Sequence, residues 1–141
     1  MENQEYNKEL HYQKQVRTLK LPLKPNLKVL DVSGLKLKDL SFLSDQQDIE
    51  ILIAESNELT NQCFKEIAHL KKLKILSLQD NQIVDDANLK LLADANLLEL
   101  RLLFNPICQT QQYYKLIYKA LPNLYTLDDY DQDGLQIHSL F

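Results

Sequence analysis

Apolar residues recur along this chain at one fixed spacing. From Leu27 they fall at Leu27, Leu30, Val32 and Leu37, with Leu35 in the ninth place. The spacing returns as Ile49, Leu52, Ala54, Asn57 and Leu59, and as Leu73, Leu76, Leu78, Asn81 and Ile83. It returns again as Leu97, Leu100, Leu102, Asn105 and Ile107, and Leu124 with Leu127 begins a partial fifth copy. The copies start 22, 24, 24 and 27 residues apart (27 to 49, 49 to 73, 73 to 97, 97 to 124). Inside each copy the side chains alternate with period two, which predicts a short strand. Between copies the spacing opens to three and four. Phe64, Ile67 and Ala68 follow Thr60 or Asn61 as N-cap, and Leu89, Leu92 and Ala93 follow Asp85 and Asp86, which predicts a helical turn in each unit.

The template is LxxLxLxxNxL, and its period falls in the roughly 20–29-residue range of leucine-rich repeats. One unit cannot bury its apolar face alone, but stacked units can. The expected fold class is α/β: a leucine-rich-repeat solenoid with short parallel strands on the concave face, helices or turns on the convex face, and helical caps at both ends. Asn57, Asn81 and Asn105 are expected to form a structural ladder, each side chain satisfying backbone at a turn. We expect a single domain over 1–141, with an N-terminal cap at 1–26, four repeats at 27–107 and a C-terminal cap at 108–141. In the first cap, residues 2–15 are helix-prone, and Val16, Leu19 and Leu21 suggest a truncated strand before Pro22 and Pro25. In the second, a helix over 110–120 uses Tyr113 or Tyr114, Ile117 and Leu121 as its apolar face. Leu121-Pro122 ends that helix, and Leu124–Asp128 makes the last strand.

Composition narrows the chemistry. The chain has 30 Leu in 141 residues but only Gly34 and Gly134, so neither GxGxxG nor a P-loop can be written. Lys and Arg number 16 against 20 Asp and Glu, a net charge of −4, which disfavours direct nucleic-acid contact. Lys65, Lys71, Lys72 and Lys74 make a small basic spot without interleaved aromatics and read as a solvated helix edge. Cys63 and Cys108 form no CxxC, and read as thiols of an intracellular, reducing compartment, with nucleus, cytoplasm and cilium left open. The polar opening MENQEYNKELHYQKQ is not a secretory signal, and no apolar run is long enough to span a membrane. Cys63 and His69 lie about 1.7 helical turns apart, on different faces, so they do not form a nucleophile and base. No enzyme activity, catalytic residue or cofactor is expected.

The C-terminal segment adds a resemblance. Asn105-Pro106, Tyr113, Ile117-Tyr118, Leu121-Pro122, Leu124 and Leu127-Asp128 resemble the cap of SDS22-like leucine-rich-repeat proteins. That class includes axonemal dynein light chains, a spliceosomal small-RNP subunit and phosphatase regulators. Residues 113–133, YYKLIYKALPNLYTLDDYDQD, look most like the acidic leucine-rich nuclear phosphoproteins, whose cap has the form YxxxVFKxLPxLxxLDGYDxDD. The resemblance covers nearly the whole chain but is specific only in the cap. It implies a protein-binding surface without catalytic residues. It does not carry over functions of that family's long acidic tail, which does not follow the cap before Phe141.

Strand alternation locates the candidate surface. If places four and six of the template face the core, places three, five and seven face outward on the concave side. The expected protein-binding residues are Val29, Asp31, Ile51, Ile53, Glu55, Ile75, Ser77, Gln79, Glu99, Arg101 and Leu103. Val29, Ile51, Ile53 and Ile75 are expected to cluster as an exposed apolar patch with a charged rim, the signature of a partner site. The alternatives are that Ile and Val are simply good strand formers, or that the N-terminal segment folds over them. Asp129, Asp131, Asp133 and Gly134 spell DxDxDG, the opening of a calcium loop, but Leu140 stands where its bidentate Glu belongs and Gln136 where an apolar residue belongs. They are a weak metal candidate only. The expected function is a non-catalytic module that binds one or more proteins, as a monomer alone or within a larger complex. The alternatives are a structural subunit of a ciliary or RNP assembly, and a nuclear regulator of chromatin or phosphatase activity.

Overall fold

The structure is a computed structural model that describes residues 22–138. The helix and strand expected in the N-terminal cap before Pro22 lie outside the described residues. Five strands, β1 (Val29–Asp31), β2 (Ile51–Ile53), β3 (Ile75–Ser77), β4 (Glu99–Arg101) and β5 (Thr126–Leu127), form one sheet in chain order. All four pairings are parallel, and Val29, Ile51, Ile75, Glu99 and Thr126 stand side by side. This is the register of the sequence template, third place against third place. A one-residue slip would turn every core Leu outward, so burial of one face holds the register.

The fourth-place residues Leu30, Leu52, Leu76, Leu100 and Leu127 are fully buried and run through the core as a column. Parallel strands need crossovers, and here these are short. Residues Ser41–Leu43, Leu89–Leu92 and Pro106–Gln109 form 3-10 turns, while α1 (Cys63–Ile67) and α2 (Tyr113–Ala120) are α-helical. Phe64 and Ile67 of α1 and Leu89 and Leu92 of the following turn are buried against the leucine column. The helix expected at Leu89–Ala93 is thus a 3-10 turn, the one expected over 110–120 starts at Tyr113, and the strand expected over 124–128 is only Thr126–Leu127. Most of these helical pieces are about one turn long, and such short turns are often 3-10; only α2 extends further.

The expected N-caps are met in part. Gln62 directly precedes α1 without a side-chain cap bond, but Thr60 Oγ1 accepts from the Gln62 N–H at 3.4 Å. Asn61 instead reaches into the next repeat, donating to the carbonyls of Asp85 and Ala87 and accepting from the Val84 N–H.

Buried side-chain bonds tie repeat to repeat. Asn57 Oδ1 accepts from Leu35 and Leu37 N–H, and its amide donates to Val32 O of the preceding repeat. Asn81 accepts from Leu59 N–H and donates to Ala54 O; Asn105 accepts from Ile83 N–H and donates to Leu78 O. In the fifth copy Asp128 takes this part, accepting from Leu102 N–H at 2.7 Å. These polar side chains replace the water that the turn backbone has lost.

Candidate functional site

Places three and five leave the sheet on the face away from the leucine column. Val29, Ile51, Ile53 and Ile75 do form one cluster there. The structure corrects the expectation that they are exposed: Val29 is 0% exposed and the three Ile are 7–9% exposed. Alternation tells which side a residue takes, not what lies on that side. Asp31, Ser77, Glu99 and Thr126 on the same face are also buried, while Asp128, just beyond β5, turns its carboxylate to Tyr113 of the core.

The accessible part of this face is the seventh place and the turn beyond it. Ser33, Glu55 and Gln79 are half-buried, and Leu103 is exposed. The polar residues are stitched across strands. The Glu55 N–H donates to Ser33 Oγ at 3.0 Å, and Ser77 Oγ donates to Glu55 Oε1 at 2.6 Å. Arg101 lies between two acids, with Nη2 at 3.3 Å from Asp129 Oδ1 and 4.0 Å from Glu99 Oε2. Its Nε is shielded from solvent and has no hydrogen-bond partner among the described residues. Charge on this side is one-sided. The accessible acids at places seven and eight are Glu55, Asp80 and Asp131, with Asp31 and Glu99 buried at places five and three, against Arg101 alone. Lysines sit at the opposite strand edge, where Lys74 meets Glu50 at 2.9 Å and Lys72 meets Asp48 at 2.6 Å. That hydrogen bond, and then the Asp48 charge, raises the Lys72 pKa.

At the C-terminal end a buried pair organises the surface. Tyr113 donates its hydroxyl to Asp128 Oδ2 at 2.8 Å, while Asp128 Oδ1 holds Leu102 N–H and the carboxylate also lies beside Leu103 N–H. Burial pushes the Asp128 carboxyl above its usual range, and these hydrogen bonds oppose the shift only partly. Burial, and then the Asp128 charge, likewise pushes Tyr113 up. Helical spacing alone leaves Tyr113 and Tyr114 as alternatives for the inward position. Tyr113 faces in, and Tyr114 faces out with the two ring centroids 4.9 Å apart.

Strand alternation does not reach Phe104. It occupies the eighth place, where the backbone of each of the first four copies is left-handed: Gly34 (φ 69°), Ser56 (54°), Asp80 (57°) and Phe104 (63°). Phe104 is 75% exposed. Aligning the copies would have singled it out, since a bulky aromatic there breaks a row of Gly, Ser and Asp.

The remaining candidates separate. The Asp129, Asp131 and Asp133 carboxylates do not converge. Asp129 turns to Arg101, and Asp131 Oδ1 accepts from the N–H groups of Asp133 and Leu135 within its own turn. Among the described residues no three carboxylate, imidazole or thiol groups are placed to hold a metal ion. Cys63 is in the core, where burial, and then the Glu66 charge, pushes its thiol up to about 12. His69 instead places Nε2 3.0 Å from Leu43 O. Cys63 and His69 therefore form no activated nucleophile.

No protein-family model matches the chain. It is 28% identical over 111 residues to a histone of Tetrahymena thermophila, a stretch that covers 78% of this chain and 29% of that protein. Among solved structures, one in the Drosophila melanogaster SNF/U2A′ complex superposes with a TM-score of 0.63 at 21% identity, covering 88% of this chain and 73% of the other. One in the Chaetomium Mex67:Mtr2 subunits gives 0.60 at 21%, covering 99% and 94%. The fold is leucine-rich-repeat-like. Among the described residues no helix is long and apolar enough to cross a membrane.

Proposed function

We propose that this chain is a non-catalytic protein-binding module whose partner docks on the concave side of the sheet, over Glu55, Gln79, Arg101 and Leu103. The observation that carries the reading is the accessible row at the seventh place, presented by a sheet whose cross-strand bonds already fix it. A rigid platform loses little conformational freedom on binding. The buried apolar four belong to this reading as the floor beneath the site, alongside Asp31, Ser77 and Glu99. The sequence likeness to a histone and the structural likeness to a chain of the SNF/U2A′ complex support a nuclear setting, with chromatin or an RNP particle as the place of action. The cap motif supports kinship with the acidic leucine-rich nuclear phosphoproteins within the SDS22-like class.

The test is site-specific photocrosslinking in cells. A crosslinking amino acid at Gln79 should capture defined proteins, and the same residue at Lys65 on the helical side should not. Equal capture from both positions, or capture from Lys65 alone, would refute docking on this face.

A further inference from the structure

We infer that Phe104 anchors a docking surface for a basic polypeptide segment, one in which Lys or Arg residues flank an apolar side chain. This rests on the protein-binding reading and names the partner's chemistry. The fold requires a left-handed residue at the eighth place. Glycine adopts that conformation without strain, and small polar residues adopt it at low cost. Gly34, Ser56 and Asp80 follow the rule; Phe104 at φ 63° does not. A bulky side chain there is strained, and at 75% exposure it gains almost nothing from the core. Local strain without a structural return is a mark of function.

The surroundings fit an anchor. Leu103 precedes Phe104, and Tyr114 and Tyr130, each within two residues of the Tyr113–Asp128 pair, are also exposed. Such apolar and aromatic groups on a charged rim are what interface cores use. The rim sets the partner's sign. Asp80 stands in the neighbouring turn, where its N–H bonds Leu103 O at 2.9 Å, and Asp131 and Asp133 follow the buried Asp128. Arg101 and Asp129 pair with each other, and Arg101 also lies near Glu99, so that pair adds no positive charge to the rim. Lys115, two residues after the inward Tyr113, leaves α2 on the opposite side. A cationic side chain of the partner would meet carboxylates and the faces of Tyr114 and Tyr130 together.

The probe is an array of twelve-residue peptides, each with four Lys around one Leu, Phe or Trp in varied frames, beside a copy with every Lys changed to Glu. The full chain should bind members of the Lys set, more weakly as salt rises, and none of the Glu set. Phe104→Asn should lower that binding by about tenfold or more while leaving the melting temperature equal or higher, since Asn accepts the left-handed turn. No binding to the Lys set, or equal binding to both sets, would overturn the inference. So would a Phe104→Asn chain that melts several degrees lower with binding intact, because Phe104 would then be structural. Capture of proteins from Gln79 with a silent array would defeat this inference and leave the protein-binding reading standing.

Discussion

The two halves of the open sheet face have the same backbone and opposite surfaces. At β1 to β3 the third place holds Val29, Ile51 and Ile75, closed from solvent and packed with Ile53. At β4 and β5 it holds Glu99 and Thr126, equally buried but polar, and the turn beyond β4 ends in Leu103 and Phe104, open to solvent. Register and direction do not change between them. The repeat therefore dictates where side chains point, while the surface is decided residue by residue. Apolar side chains are divided unevenly along this face: in the first half they lie buried at the third place, and in the second they stand exposed as Leu103 and Phe104.

That division can be broken most sharply at the sealed half. Ile51→Asp together with Ile75→Asp should unfold or nearly unfold the domain, since each places a carboxylate in a closed apolar site at a cost of several kcal/mol. Loss of the circular-dichroism melting transition is the expected result. A folded double variant would mean the two halves are equally open. The next effect lies at the seam. Asn81→Ala orphans the buried Leu59 N–H and Ala54 O and should cost about 3 kcal/mol, read by urea denaturation. The smallest effect is electrostatic and belongs to the open half. The folded Asp128 carboxyl titrates above its unfolded value of 3.8, so the folded state keeps its proton where the unfolded state has lost it. Its contribution to stability therefore grows as pH falls through that window and is lost as pH rises. Against Asp128→Asn, the wild type should gain melting temperature between pH 7 and pH 4. A constant difference would show an ordinary carboxyl.

The strands and their register are legible because packing writes a period of two directly into Leu30, Val32 and their counterparts. The crossovers are less so. Leu89, Leu92 and Ala93 have helical spacing, but a segment of one turn leaves α and 3-10 geometry indistinguishable by period. Asn61 has the chemistry of a cap because caps favour Asn, yet tertiary partners at Val84, Asp85 and Ala87 outcompete its own helix. At the site, alternation groups the four apolar residues correctly and says nothing of their cover. Phe104 stands out only when the copies are compared with one another, because its oddity is relative to Gly34, Ser56 and Asp80.

The Asn ladder gives the molecule a direction of unravelling. Each rung belongs to one repeat and satisfies the backbone of the repeat before it. Peeling away the C-terminal unit strands Leu102 N–H, and the next loss strands Ile83 N–H and Leu78 O in turn. Main-chain bonds cross each seam in both directions, so peeling from the β1 side also strands the Glu50, Ile51 and Glu58 N–H groups; only the rung bonds are one-sided, and there a rung merely loses its client. The chain is a ratchet under tension: pulled from its C-terminal end it should yield in high-force steps, and from the β1 end in low-force ones. Optical-trap unfolding with handles at either end reads the two forces, and equal forces would show that the rungs carry no polarity.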